Sequence, residues 1–118
     1  MEARAICRFI PSSPRKMRLV IDTIRGVNAQ AAMDLLAFQP KHAAKTAVRV
    51  LRSAVKNLME KNDNVRLEAA DMVVKEVYVD QGPTVKRISP APMGRAYRIR
   101  KRSCHLTIVV ASQSQKEE

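Results

Sequence analysis

The sequence predicts an α+β fold: a small three-helix domain packed on a three-stranded antiparallel sheet, with a long protruding β-hairpin. Three observations lead there. Apolar residues recur at helical spacing in three segments between residues 14 and 62. They recur with period two near the N-terminus and again over 72–79 and 105–110. Between those last two strands lies GPTVKRISPAPMGRAYRIRKR, a connection far longer than compact domains ordinarily use. The 118 residues amount to one domain by size. Its globular part is expected at about 1–78 plus 105–112, the extended hairpin at about 79–104, and a polar, frayed tail at 113–118.

Each element has a local reason. Residues 3–10 (ARAICRFI) read as a short strand that Pro11 ends. Ser13 suits an N-cap, and Pro14 suits the first helical position, where a missing N–H costs nothing. Met17, Val20, Ile21 and Ile24 then form one apolar face, and Gly26 fits a left-handed C-terminal cap. A second helix is expected over Asn28–Phe38, burying Ala32, Leu35 and Leu36. Pro40 opens a third helix ending near Asn62, with an apolar stripe from Ala44 through Ala47, Val48, Leu51, Ala54 and Val55 to Leu58. The core should therefore be led by Met17, Ile21, Ile24, Leu35, Leu51, Val55 and Leu58. From Val65 the period becomes two, and 72–79 and 105–110 are the arms of an antiparallel pair. Gly82-Pro83, Pro90, Pro92 and Gly94 are expected to deny the insert a regular ladder near its middle. Tyr97, Ile99 and Lys101 nevertheless alternate with Arg98, Arg100 and Arg102, so the returning arm has strand periodicity; the arms could reach roughly 50–60 Å.

Charge narrows the function. Lys plus Arg number 22 against 11 acids, a net charge of +11. Acids stop at Asp80 and resume at Glu117, while residues 86–102 carry five arginines and two lysines. Such a block builds a strong positive potential, and arginine suits bidentate phosphate contacts. On the third helix Lys41, Lys45, Arg49, Arg52 and Lys56 fall within an arc of about 80° at 100° per residue, with no acid until Glu60. A polyanion partner explains both runs. Four aromatic residues and no Trp argue against a platform that stacks single-stranded bases.

Other chemistries lack their residues. Three glycines exclude a dinucleotide fingerprint and a phosphate loop. Cys104 and His105 are adjacent on a strand and face opposite ways, so they cannot share a metal, and Cys7 has no CxxC partner. No nucleophile–base arrangement is readable. No cofactor, metal, small-molecule substrate or catalytic residue is expected; nor is a membrane partner, since no run approaches the roughly 18 apolar residues of a span. The N-terminal segment shows neither a signal-peptide run nor a transit segment, so a cytoplasmic location is expected. Two readings stay open on these grounds, an RNA-binding protein and a small basic DNA-binding or nucleoid protein with the hairpin as its groove-inserting ribbon.

Particular residues favour the first. Ser13-Pro14-Arg15-Lys16-Met17-Arg18-Leu19-Val20, with Ile24-Arg25-Gly26, resembles the first-helix signature of ribosomal protein twenty-two of the large subunit, in its bacterial and organellar form. The run from Val74 to Arg87 resembles that family's outgoing hairpin arm. Met93-Gly94-Arg95-Ala96 and the run from Arg100 to Val110 resemble its tip and returning arm. The resemblance implies an α+β domain near the exit of the nascent chain on the large subunit. It also implies a hairpin threading ribosomal RNA from several domains, a role in assembly, neighbouring large-subunit proteins, and a tip in the wall of the peptide exit tunnel. The nascent polypeptide, and macrolides near the tip, would then be further contacts.

By position, Arg8, Ser13, Arg15, Lys16, Arg18, Arg25, Lys41, Lys45, Arg49 and Arg52 become RNA contacts of the globular part. Lys86, Arg87, Arg95, Arg98, Arg100, Lys101, Arg102 and His105 become those of the hairpin, and Lys86, Arg87, Ile88, Pro90, Ala91, Pro92, Met93, Gly94 and Arg95 form the tunnel tip. Family members commonly carry Arg-Ala-Lys/Arg before the tip glycine; here Ala91-Pro92-Met93 makes the tip less cationic and stiffer. Cys104, where serine or threonine is common, should be a small buried strand residue.

Overall fold

The computed structural model describes residues 2–61, 68–90, 92–94 and 96–112. The chain begins with strand β1 (Glu2–Ile10), followed by helices α1 (Pro14–Ile21), α2 (Ala29–Phe38) and α3 (His42–Lys61). Strands β2 (Met72–Gln81), β3 (Val85–Pro90), β4 (Ala96–Lys101) and β5 (Cys104–Ser112) complete it. The fold is α+β, with a three-stranded antiparallel sheet in the order β1-β5-β2 and the helices against one face. β3 and β4 pair separately as a two-stranded antiparallel ribbon. The long axis is 68 Å against 24 and 18 Å for the others.

Strand alternation decides the core. Cys104, Leu106, Ile108 and Val110 of β5 and Met72, Val74, Val77 and Val79 of β2 all point inward and are buried. Met17, Val20, Ile21 and Ile24 meet them, as do Leu51, Val55 and Leu58 of α3. Ala3 and Ala5 on β1 and Ala44, Ala47 and Ala54 on α3 are buried too; residues this small let helix and strand approach closely. Cys104 is fully buried, and burial, followed by the nearby Cys7 sulfur, pushes its thiol up from the usual range. Alkylation at pH 8 is expected to modify half-buried Cys7 first and to reach Cys104 only once urea unfolds the chain, which mass spectrometry of timed aliquots would read.

The start of α1 is the expected one: Ser13 Oγ accepts the Lys16 N–H at 3.3 Å, with Pro14 at the first position. Its end is not. The helix stops at Ile21, because the Thr23 hydroxyl donates back to the Val20 carbonyl at 2.7 Å and the following bonds are of i→i+3 type. Gly26 does adopt a φ of 77°, but as a turn against β2, where its N–H donates to the Val74 carbonyl at 3.0 Å. Leu35 corrects the expected core: it is 45% exposed, and α2 buries Ala29, Ala32 and Leu36 instead. The expected helix end near Asn62, the change of period at Val65 and the tail at 113–118 lie outside the described residues.

The insert also departs from expectation. Its middle holds a regular ladder of six pairs, from Val85↔Lys101 to Pro90↔Ala96. Pro90 is tolerated because a two-stranded ribbon has only edges, so a missing N–H can face solvent. The break falls at the base instead, over residues 82–84 and 102–103. There the Gly82 N–H donates to the Ser103 carbonyl at 2.9 Å, and Ser103 Oγ donates to the Pro83 carbonyl at 2.6 Å. A Cβ on Gly82 would stand 2.6 Å from Ser103 Oγ and 3.2 Å from its backbone. Gly82→Ala is therefore expected to displace the serine hydroxyl, cost about 1 kcal/mol and quicken tryptic cleavage at Arg102. Limited proteolysis followed by mass spectrometry measures this.

Candidate polyanion-binding surface

Three segments distant in sequence meet where the ribbon leaves the sheet. The β1–α1 loop brings Pro11, Ser12 and Ser13; α1 brings Lys16 and Leu19; Lys41 comes from just before α3, and His42 and Ala43 from its start; Arg100 and Lys101 come from the end of β4, and Arg102 from just beyond it. Together they line an open cleft of about 680 Å³ that gathers five cations and the N-terminal turns of two helices. The positive ends of the two helix dipoles add to the formal charges.

The ribbon continues this charge outward. Across it Lys86 stands directly opposite Arg100, and Arg98 opposite Ile88. Arg87 and Lys101 lie on the other face, with Val85 and Ile99. Like charges directly opposite on a ladder repel. The ion pairs found among the described residues, Arg25–Asp22 at 3.0 Å and Lys75–Glu2 at 2.6 Å, involve neither ribbon nor cleft. In the second pair the Lys75 hydrogen bond holds the Glu2 carboxyl below its usual range, and the Lys75 ammonium is held above its own.

The expected contact residues divide into groups. Ser13, Lys16, Lys41, Arg100, Lys101 and Arg102 come together in the cleft, with exposed Arg15 one residue from Lys16 on α1. Arg49 and Arg52 line a shallow groove of about 420 Å³ on α3 with Lys56 and Glu60, away from Lys41, which precedes the helix. Lys45 is exposed on the same helix. Arg18 and Arg25 are latches: they donate to the Val79 carbonyl at 3.0 Å and the Val77 carbonyl at 2.9 Å, tying α1 and its following turn to β2. Arg8 and His105 lie on the outer sheet face. At the tip Pro92, Met93 and Gly94 form a single turn, with Met93 at φ 65° and Gly94 at φ 70°. Ala91 and Arg95 lie outside the described residues.

Sequence reasoning missed Leu19 and His42 as cleft residues, and no linear signal marks them, since the cleft exists only in the fold. Among the described residues no group of His, Cys, Asp and Glu could hold a metal ion, and no helix is long and apolar enough to cross a membrane.

A small α+β domain with a cationic cleft and a cation-edged ribbon defines a class of small basic proteins with a candidate polyanion-binding surface. The comparisons give that class a family. Residues 5–111 match the family described as Ribosomal protein L22p/L17e, and the chain belongs to it. It is 51% identical over 110 residues to the "Large ribosomal subunit protein uL22" of Chlorobium phaeobacteroides strain BS1, covering 93% of this chain and 94% of that one. It is 46% identical over 114 residues to the protein of the same name from Desulfitobacterium hafniense strain Y51, covering 97% of each. The family is one of ribosomal structural proteins, not of enzymes.

Proposed function

We propose that the chain is a structural constituent of the large ribosomal subunit, cytoplasmic on the ribosome. It binds large-subunit RNA through the cleft and the ribbon, assists assembly, and contacts neighbouring subunit proteins. One observation carries the RNA reading: Lys86 faces Arg100 across a ribbon whose described residues include no acid, so the ladder brings together like charges that no ion pair among the described residues offsets and that an outside anion would. Double-helical RNA presents phosphates and 2′-hydroxyls more readily than base edges, so shape supplies most of the specificity. The tip, with Ile88, Pro90, Pro92, Met93 and Gly94, forms part of the exit-tunnel wall and meets the nascent peptide sterically. Its support is the family and an exposed, tightly turned Met93 at the far end from the sheet.

Sedimentation of lysate through sucrose gradients at two salt concentrations tests this. The chain is expected to travel with the large subunit and to stay there through a moderate-salt wash. Recovery in light fractions only would overturn the proposal and favour generic polyanion binding, to DNA included.

A further inference from the structure

The sheet face turned away from the helices carries a second feature, which shares no residue with the cationic cleft. There Arg8 and Phe9 of β1, Tyr78 and Asp80 of β2 and His105 of β5 surround a depression of about 390 Å³. Phe9 is the unusual member. Its φ of 58° lies in the left-handed region, which costs a bulky residue about 1–3 kcal/mol. Its ring is nevertheless 66% exposed. The register slips between Cys7 and Ile10, and such a bulge re-aims a side chain. Two contacts hold the ring there. The Phe9 N–H donates to His105 Nδ1 at 3.0 Å, and the two rings meet edge to face, 5.0 Å apart at 88°. Strain that exposes an apolar ring serves neither the core nor solubility; it presents a flat face.

The polar groups beside it form a pattern. Because Nδ1 accepts, the neutral His105 ring keeps its proton on Nε2, which is a donor. Asp80 lies directly opposite His105 in the β2–β5 register and is an acceptor. Neither the Asp80 carboxylate nor His105 Nε2 has a hydrogen bond among the described residues. A carboxylate beside a single N–H complements the Watson–Crick edge of guanine: N1–H and N2–H₂ donate to the carboxylate while O6 accepts from the imidazole. In the same register adenine sets its N1 acceptor against the carboxylate and its N6 amino donor against the imidazole N–H, so both contacts are lost. Arg8, at the rim, is placed for a phosphate.

We infer that this depression takes one unpaired guanine of RNA, stacked on Phe9, its edge held by Asp80 and His105. The inference rests on the RNA-binding reading above and names a base contact within it. The scarcity of aromatic residues excludes a platform of several rings; one base needs one ring.

Fluorescence anisotropy of the full chain with labelled RNA hairpins tests it, using a fully paired stem and the same stem bearing one bulged G or one bulged A. Stacking on a single ring is worth about 5–150-fold by alanine substitution, so the G-bulged stem is expected to bind about tenfold tighter than the paired one. Phe9→Ala should erase that preference and leave paired-stem affinity unchanged. Asp80→Asn, on the surface and free of any folding demand from strain, should equalise G and A. Paired-stem binding without a bulge preference would overturn this inference alone, whereas loss of all RNA binding would overturn the reading beneath it. In the assembled subunit, p-benzoylphenylalanine in place of Phe9 should give an RNA adduct on irradiation; a protein adduct would assign the face to another partner, and no adduct would overturn the base contact.

Discussion

Replacing Arg100, Lys101 and Arg102 together with glutamine should weaken binding to large-subunit RNA by roughly 10²-fold near 0.15 M salt. Each phosphate contact contributes about 0.7–0.9 to the slope of log affinity against log salt, so the slope should flatten by about 2–3. The three residues enter the same cleft as Lys16 and Lys41, and a cation there acts on a ligand held between two helix starts. The fold should survive, because Arg100, Lys101 and Arg102 are all exposed and make no intramolecular ion pair among the described residues. Relief of the Lys86–Arg100 repulsion should even steady the free ribbon slightly. Filter binding between 50 and 200 mM salt, with circular dichroism as the control on folding, measures both quantities. An unchanged slope would remove the cleft from the interface.

Leu51→Ala should have the largest effect on the fold itself. The side chain is fully buried in the middle of α3, the helix that packs on β1, β5, α1 and α2. Truncation leaves a cavity that its neighbours cannot fill, at a cost of about 2–5 kcal/mol. Against a total stability of roughly 5–15 kcal/mol that is a large share. The melting temperature should drop by roughly 10–20 °C. Leu35→Ala, one helix away and 45% exposed, should cost under about 1 kcal/mol. Urea denaturation of the two variants side by side decides whether the core is where it has been placed.

Those two leucines also mark what the sequence makes legible. Leu51 belongs to a long stripe at helical spacing, whose face is unambiguous because cations flank it. α2 is apolar nearly all round (AQAAMDLLAF), so the pattern does not single out the buried side, and Leu35 was expected inside when Ala32 and Leu36 suffice. Ser13-Pro14 was legible because capping is local chemistry. The cations were legible one by one, but not their grouping: the cleft joins residues about thirty and ninety positions from Ser13, while Lys41 parts company with the rest of its basic stripe. Arg18 and Arg25 read only as cations until β2 carbonyls were seen to accept from them. The left-handed Phe9 had no signal at all, since no glycine or asparagine announces that turn.

The strand order β1-β5-β2 governs when the molecule can come into being. The middle strand of the sheet is the last one made, and β1 and β2 are bonded to it rather than to each other. During synthesis both therefore wait with open edges while the whole ribbon is produced, and the sheet zips only when β5 arrives to fill the gap. Contacts spanning about a hundred residues make that closure slow for a chain of this size. An emerging polycation with two unsatisfied strand edges is prone to wrong partners, in which it resembles any late-closing β fold. Gln81 and Cys104, the sheet residues from which the connections to the ribbon spring, are paired by the same event, so the arm acquires a fixed direction only when the domain beneath it is finished.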